Sequence, residues 1–252
     1  MAEAPTRSTG GIDAGQLLGY FEVRRDEMVE LIVKLASIES PSRVADAQEP
    51  MRSALTAEYD ALGLAVRRLE GEDGCDHLMA RPTDRDPSRP TQLLLGHLDT
   101  VWPVGTLETM PIEIVDGRLH GPGIFDMKGG NYLSLEAIRQ LARASFTTPL
   151  PITVLFTPDE EVGTPSTRDI IEAEAARNKY VLVPEPGRPD NGVVTGRYAI
   201  ARFNLESIGK PSHAGATLSS GRSAIREMAR QILAIDAMTT ADCTFSVGIV
   251  HG

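Results

Sequence analysis

The 252-residue chain is 41% hydrophobic and 24% charged, an ordinary balance for a globular protein, with room for one large domain or two modest ones. Its net charge of -10 argues against a nucleic-acid partner, because phosphate binding needs clustered lysine and arginine. Cys75 and Cys243 lie far apart and outside any CxxC spacing, which argues against a disulfide framework or a cysteine zinc site.

The first stretch has no apolar h-region, and no apolar run approaches the ~20 residues that cross a bilayer, so no membrane association and a cytoplasmic location are expected. Leu17, Leu18, Phe21, Met28, Leu31, Ile32 and Leu35 recur at helical spacing over one long segment. Met51, Leu55, Tyr59 and Leu62 predict a second helix, stopped by Gly63. "TQLLLG" (91–96) is continuously apolar, as a strand buried on both faces is. "EIVDGRLHG" predicts a hairpin turning on Asp116-Gly117. "NYLSLEAIRQLARA" follows as a helix, "PITVLF" as a strand, "STRDIIEAEAARN" as a helix opened by a Ser/Thr cap, and "YVLVPEP" as a strand. This alternation predicts an α/β sheet layered between helices.

The pattern changes after about Thr195. "RYAIARFNLESIG" alternates apolar and polar residues like a strand with one solvated face, "SGRSAIREMARQILAIDAM" is an amphipathic helix, and "TFSVGIVHG" is a further strand. A domain boundary is placed near Tyr198, which divides the chain into 1–198 and 199–252.

Ligands of open α/β sheets gather at the carboxyl ends of the strands. "LLLG" runs into His97 and Asp99, "ITVLF" runs into Asp159, Glu160 and Glu161, and "YVLV" runs into Glu185. Asp126 sits among Gly121, Gly123, Gly129 and Gly130, which suit a tight loop near a site. One imidazole with several carboxylates on one edge suits zinc, cobalt or manganese. Residues i and i+2 of an extended segment point the same way, so Asp99 is placed to support His97. Consecutive Glu160 and Glu161 must diverge, leaving one free to bind metal and the other to act as a base. Each motif alone also fits a plainer role: a surface His-Asp pair, a solvated acidic loop, a turn residue between prolines. Their order at successive strand ends favours the site. A calcium site is the weaker alternative, because calcium prefers an all-oxygen shell and His97 is present.

These residues resemble the co-catalytic zinc peptidases that include glutamate carboxypeptidase, acetylornithine deacetylase, succinyl-diaminopimelate desuccinylase and aminoacylase. The matching text is "GHLDTVWP", "LHGPGIFDMKGG", "LFTPDEEVGT", "VPEPG" and "GKPSHAGA", spread over Leu17 to Gly252, with wording most similar to the glutamate carboxypeptidase branch. The resemblance implies a catalytic α/β domain with a mixed, mostly parallel sheet between helices, and part of an α+β (ferredoxin-like) lid or dimerisation domain from 199 to 252. It implies two zinc ions, with Co2+ or Mn2+ as substitutes. His97 and Glu185 would bind one, Glu161 the other, and Asp126 both, next to a cis peptide to Met127. Asp99 would orient His97, Glu160 would be the general base, and His213 would reach a partner subunit's site to stabilise the oxyanion. The implied substrate is a small peptide or N-acyl amino acid, and the implied assembly is a homodimer if the lid is complete. Relatives carry a further zinc-ligating histidine and a carboxylate-gripping arginine, both expected beyond Gly252. An incomplete member that only binds metal or dimerises is the alternative to an active enzyme. His77, His120 and His251 are read as packing, surface or structural residues.

Overall fold

The computed structural model describes residues 13–252 apart from 85, 87, 189, 191 and 198. The chain divides into two compact units, Met1–Val193 and Val194–Gly252. Tyr198, the expected boundary, lies outside the described residues.

The first unit opens with α1 (Ala14–Val23), α2 (Arg25–Ala36) and α3 (Ala45–Asp60). The apolar spacing from Leu17 to Leu35 predicts one segment, but the backbone leaves helical geometry at Arg24 (φ -104°, ψ 13°). α1 buries no residue, whereas α2 buries Leu35 and Ala36, so the two halves of the pattern serve different surroundings. α3 places Met51, Leu55 and Tyr59 on one fully buried stripe and is followed by Gly63 at φ 75°.

The strands are β1 (Leu64–Leu69), β2 (His77–Pro82), β3 (Thr91–His97), β4 (Glu113–Val115), β5 (Arg118–His120), β6 (Ile152–Thr157) and β7 (Asn178–Leu182). Helices α4 (Gly129–Arg143) and α5 (Arg168–Ala175) connect the later ones. The main sheet has the order β1-β2-β6-β3-β7, antiparallel from β1 to β6 and parallel across β6-β3-β7. β4 and β5 form the expected hairpin, with Asp116 (φ 50°) and Gly117 (φ 72°) both in the left-handed region, as a two-residue turn of this hand requires.

Both faces of the sheet are covered, which explains the continuous apolar runs. Leu78, Val154 and Phe156 pack with Leu35, Leu55, Tyr59 and Leu135 from α2, α3 and α4. Met79, Leu93 and Leu155 face the other way, against Ile170 and Ile171 of α5. Because β3, β6 and β7 are parallel, their carboxyl ends lie on one edge. His97 and Thr157 are direct register partners there.

The Ser/Thr cap expected for α5 is Thr167, but it makes no side-chain capping bond, since its hydroxyl donates to the buried Asp159 carboxylate. In the second unit α6 (Ala224–Asp236) forms as expected, with Ser223 Oγ accepting from the Arg226 amide at 3.0 Å. Among the described residues, the two flanking runs expected as strands, 197–209 and 244–252, carry no ladder. A strand needs a hydrogen-bonded neighbour, and the described pairing in this unit is the single Lys210–Arg222 bridge. Among the described residues no helix is long and apolar enough to cross a membrane.

Candidate metal centre

His97 is the last residue of β3 and is 1% exposed. Its ring Nδ1 lies 2.9 Å from the Asp99 carbonyl oxygen and 3.4 Å from Asp99 Oδ1. Both are acceptors, so Nδ1 carries a proton and donates. Nε2 lies 3.0 Å from Asp126 Oδ1 and 3.6 Å from Glu185 Oε1. A neutral ring would therefore aim its lone pair at two carboxylates. Only a cation between them, a proton or a metal ion, makes that contact attractive.

Asp126 stands in the irregular helical turn Ile124–Lys128 that leads into α4, and the Asp126–Met127 peptide is cis as expected. Met127 Sδ accepts from the His97 amide at 3.3 Å, tying this turn to the end of β3. Glu161 follows β6 in the short turn Glu160–Val162, and its carboxylate joins the His97 imidazole and the Asp126 carboxylate in a group whose ligand atoms lie within 4.8 Å of one another. Glu185 follows β7, held where Gly130 of α4 meets the Pro184 carbonyl. The edge of the sheet thus brings His97, Asp126, Glu161 and Glu185 together from four separate segments.

The electrostatics follow from that crowding. Burial pulls the His97 imidazole down, but the hydrogen bond and charge of Asp99, with the charges of Glu185 and Glu160, outweigh it and hold the ring at about 9. Burial and the Asp126 charge push Glu161 up to about 7, with His97 opposing. Glu185 is raised by burial and by Asp126 and Glu160, again against His97. These are carboxylates short of positive charge.

The donor set fits a divalent metal. Two ligand atoms on a tetrahedral zinc, each ~2.1 Å from the ion, are ~3.4 Å apart. The 3.0 and 3.6 Å separations at Nε2 bracket that figure. The Asp99 support for the other ring nitrogen is the usual outer partner of a metal-bound histidine.

Glu160 is exposed, its backbone amide donates to Asp99 Oδ1 at 3.2 Å, and its carboxylate makes no hydrogen bond among the described residues. His213 belongs to the second unit, exposed in its own loop, where Nδ1 accepts from the Gly215 and Ala216 amides at 3.2 and 3.1 Å. Those contacts leave Nε2 as the protonated, donating nitrogen of a neutral ring.

Several residues around the centre carry no local sequence signal. Ser42 donates to Asp99 Oδ2 at 2.6 Å across 57 positions, and Asn131 Nδ2 donates to the His97 carbonyl at 2.7 Å. Lys128 is buried, its ammonium donating to the Ile38 carbonyl, and burial pushes it down to about 8 against the pull of Glu39. His77 is fully buried with neither ring nitrogen hydrogen-bonded within the described residues, as a packing residue.

Residues 93–249 match the family model described as peptidase family M20/M25/M40. Carboxypeptidase G2 of Pseudomonas sp. (strain RS-16) is 33% identical over 219 residues, 84% of this chain and 52% of that protein. Succinyl-diaminopimelate desuccinylase of Rhodospirillum centenum (strain ATCC 51521 / SW) is 31% identical over 170 residues, 61% of this chain and 43% of its own length. The chain spans about half the length of the curated relatives it matches. Among solved structures, human carnosine dipeptidase 1 has a TM-score of 0.56 at 20% identity, over 66% of this chain and 39% of that one, a likeness of fold alone.

Proposed function

The chain belongs to peptidase family M20/M25/M40, and from that membership we propose that it acts as a metal-dependent amide hydrolase, releasing a C-terminal amino acid from a small peptide or N-acyl amino acid as a glutamate carboxypeptidase does. The observation that carries this reading is the His97 ring, whose Nε2 faces Asp126 and Glu185 while Asp99 holds Nδ1. An arrangement of that kind is useful when a cation sits among the acids.

His97 and Glu185 would hold one zinc, Glu161 the second, and Asp126 both, with cobalt or manganese as substitutes. When bound, such ions supply Lewis acidity and a water of lowered pKa. Glu160, exposed and with a carboxylate that makes no hydrogen bond among the described residues, would take the proton of the attacking water and pass it to the leaving amine. Asp99 keeps the His97 ring in one orientation. His213, with Nε2–H left as donor, is suited to an oxyanion, reached in a homodimer from the second unit of the partner subunit. On this reading the first unit is the catalytic domain and the second part of a lid.

A deacylase acting on N-acyl amino acids is the second reading, favoured by the similarity to a desuccinylase. Both readings predict turnover that a chelator abolishes and added zinc or cobalt restores. Amino-acid release from an N-acyl-glutamate and from N-acetylornithine is measured side by side. Preferential release of glutamate supports the carboxypeptidase reading and the reverse supports the deacylase. No chelator-sensitive release from either substrate refutes both for this chain.

A further inference from the structure

The Asp99 carboxylate does more than support a histidine ring. Oδ1 accepts from the Glu160 amide and Oδ2 from the Glu161 amide, each at 3.2 Å, while Oδ1 also lies 3.4 Å from His97 Nδ1. One buried carboxylate therefore joins the β3 half of the centre, which carries His97, to the β6 half, which carries the two glutamates. Its orientation sets the distance between those halves. Among the described residues, three of its four donors belong to the parts being joined. The fourth comes from outside: Ser42 Oγ, at 2.6 Å from Oδ2, the shortest of the four.

The turn that delivers Ser42 is stapled to the same two segments. Ser40 Oγ donates to the Leu98 carbonyl at 2.7 Å, and the Thr100 amide to the Ser40 carbonyl at 2.9 Å. Gln48, fully buried in α3, divides its amide between the Pro41 carbonyl at 3.1 Å and the Pro158 carbonyl at 2.8 Å. The hydroxyl is thus presented to Asp99 by a turn that cannot shift without moving the ends of β3 and β6. Without it, the carboxylate keeps only the longer contacts of 3.2 to 3.4 Å and is held less firmly.

We propose that Ser42 is a positioning residue of the metal centre, acting through Asp99 to hold His97 and Glu161 at the separation a cation needs. The proposal rests on the metal-centre reading above and adds to it a residue that touches no ligand atom of the ion.

The test is a Co2+ titration of the full chain after chelator stripping, read by the visible absorption of the bound ion, with melting curves recorded alongside. Ser42→Ala is expected to bind cobalt roughly tenfold more weakly or worse, the usual scale for losing an outer partner of a metal ligand, with an altered spectrum. Ser42→Thr, which keeps the hydroxyl, restores both. Ser40→Ala removes one staple of the same turn without touching Asp99, and is expected to lower the melting temperature while weakening cobalt binding less than Ser42→Ala does. If alanine at 42 does not fold, Ser42→Cys, with its weaker donor, is expected to show the same loss. Affinity within twofold of the unaltered chain in Ser42→Ala, or in Ser42→Cys where the alanine variant does not fold, overturns the proposal and leaves the metal centre standing. So does an equal loss in Ser40→Ala. No cobalt binding by the unaltered chain overturns the metal-centre reading, and the proposal with it.

Discussion

A methyl group added at Gly130 would lie 1.8 Å from the Pro184 carbonyl oxygen and 3.0 Å from its carbonyl carbon. Those atoms are backbone, so no side chain can swing aside. The carbonyl must retreat by about 1.2 Å to reach even the 3.0 Å that real Cβ contacts essentially never undercut. Glu185 is the next residue, and its Oε1 is 3.6 Å from His97 Nε2, close to the ~3.4 Å spacing of two ligands on one zinc. A displacement of that size takes the carboxylate out of range. Overpacking a tight site costs roughly 1–3 kcal/mol, and alanine in place of glycine in a helix returns ~1 kcal/mol. Gly130→Ala should therefore stay folded and lose metal, with at least tenfold weaker binding at the site that uses Glu185. The assay is ions per chain by elemental analysis after dialysis, with a cobalt titration for affinity. Gly19→Ala is the control, because a methyl there meets nothing within 4 Å in α1. If Gly130→Ala binds the same number of ions with the same affinity, the reasoning fails: Pro184 gives way without carrying Glu185.

The metal-free protein should lose stability as pH rises. The His97 contribution is complete below its ordinary 6.5 and lost through about 9, and the Glu161 contribution is present below 4.5 and lost through about 7. A cation replaces those protons, so the gain in melting temperature on adding zinc should grow between about pH 5 and 9; a gain that is flat or falling there contradicts it. Glu160→Gln should keep the metal content of the unaltered chain and lower turnover by ~10²- to 10⁴-fold, read by elemental analysis and amino-acid release. Tyr59 is fully buried and its hydroxyl has no partner among the described residues, so Tyr59→Phe should be neutral or stabilising by up to ~1–2 kcal/mol in a denaturant melt. A clear loss would mean that the hydroxyl is satisfied by water.

The elements that could be read from the sequence were those whose cause is local. α3 and the hairpin at Asp116-Gly117 follow from a buried stripe and from a turn that demands positive φ. β3 and β6 are apolar on both faces because helices cover both faces. The acids and His97 were readable because the carboxyl ends of β3, β6 and β7 must share an edge once those strands are parallel. What escaped depends on relations between distant segments. The alternating runs of the second unit look like strands, yet a strand is a pairing, and no residue pattern states its partner. Thr167 has the composition of a helix cap, but Asp159, eight positions earlier, takes its hydroxyl. Ser42 and Asn131 become part of the centre only when the turn before α3 and the start of α4 meet the end of β3. The break at Arg24 involves neither glycine nor proline, so periodicity runs across it unmarked.

The run Asp159-Glu160-Glu161 explains why three adjacent like charges are tolerated at the mouth of a core. Each is given a different environment by a turn of the chain. Asp159 faces back into its own loop, where Oδ2 accepts from the Ser166 amide and hydroxyl, both at 2.8 Å, and Oδ1 from Thr167. Hydrogen bonds to the ionised form offset its burial. Glu160 is exposed, so solvent screens much of its charge, although that charge still acts on His97 and Glu185. Glu161 alone turns towards Asp126 and His97, and it is the one whose carboxyl is pushed up to about 7. Among the described residues no lysine or arginine forms an ion pair with Asp99, Asp126, Glu160, Glu161 or Glu185. The nearby buried cation, Lys128, gives its ammonium to the Ile38 carbonyl instead. The loop thus satisfies one of its acids with its own hydrogen-bond donors, exposes the second to solvent, and leaves the third, with Asp126 and Glu185, to a charge from outside the chain. A protonated His97 supplies part of that charge, and a divalent ion held by the same oxygens would supply more while freeing the ring nitrogen to bind it.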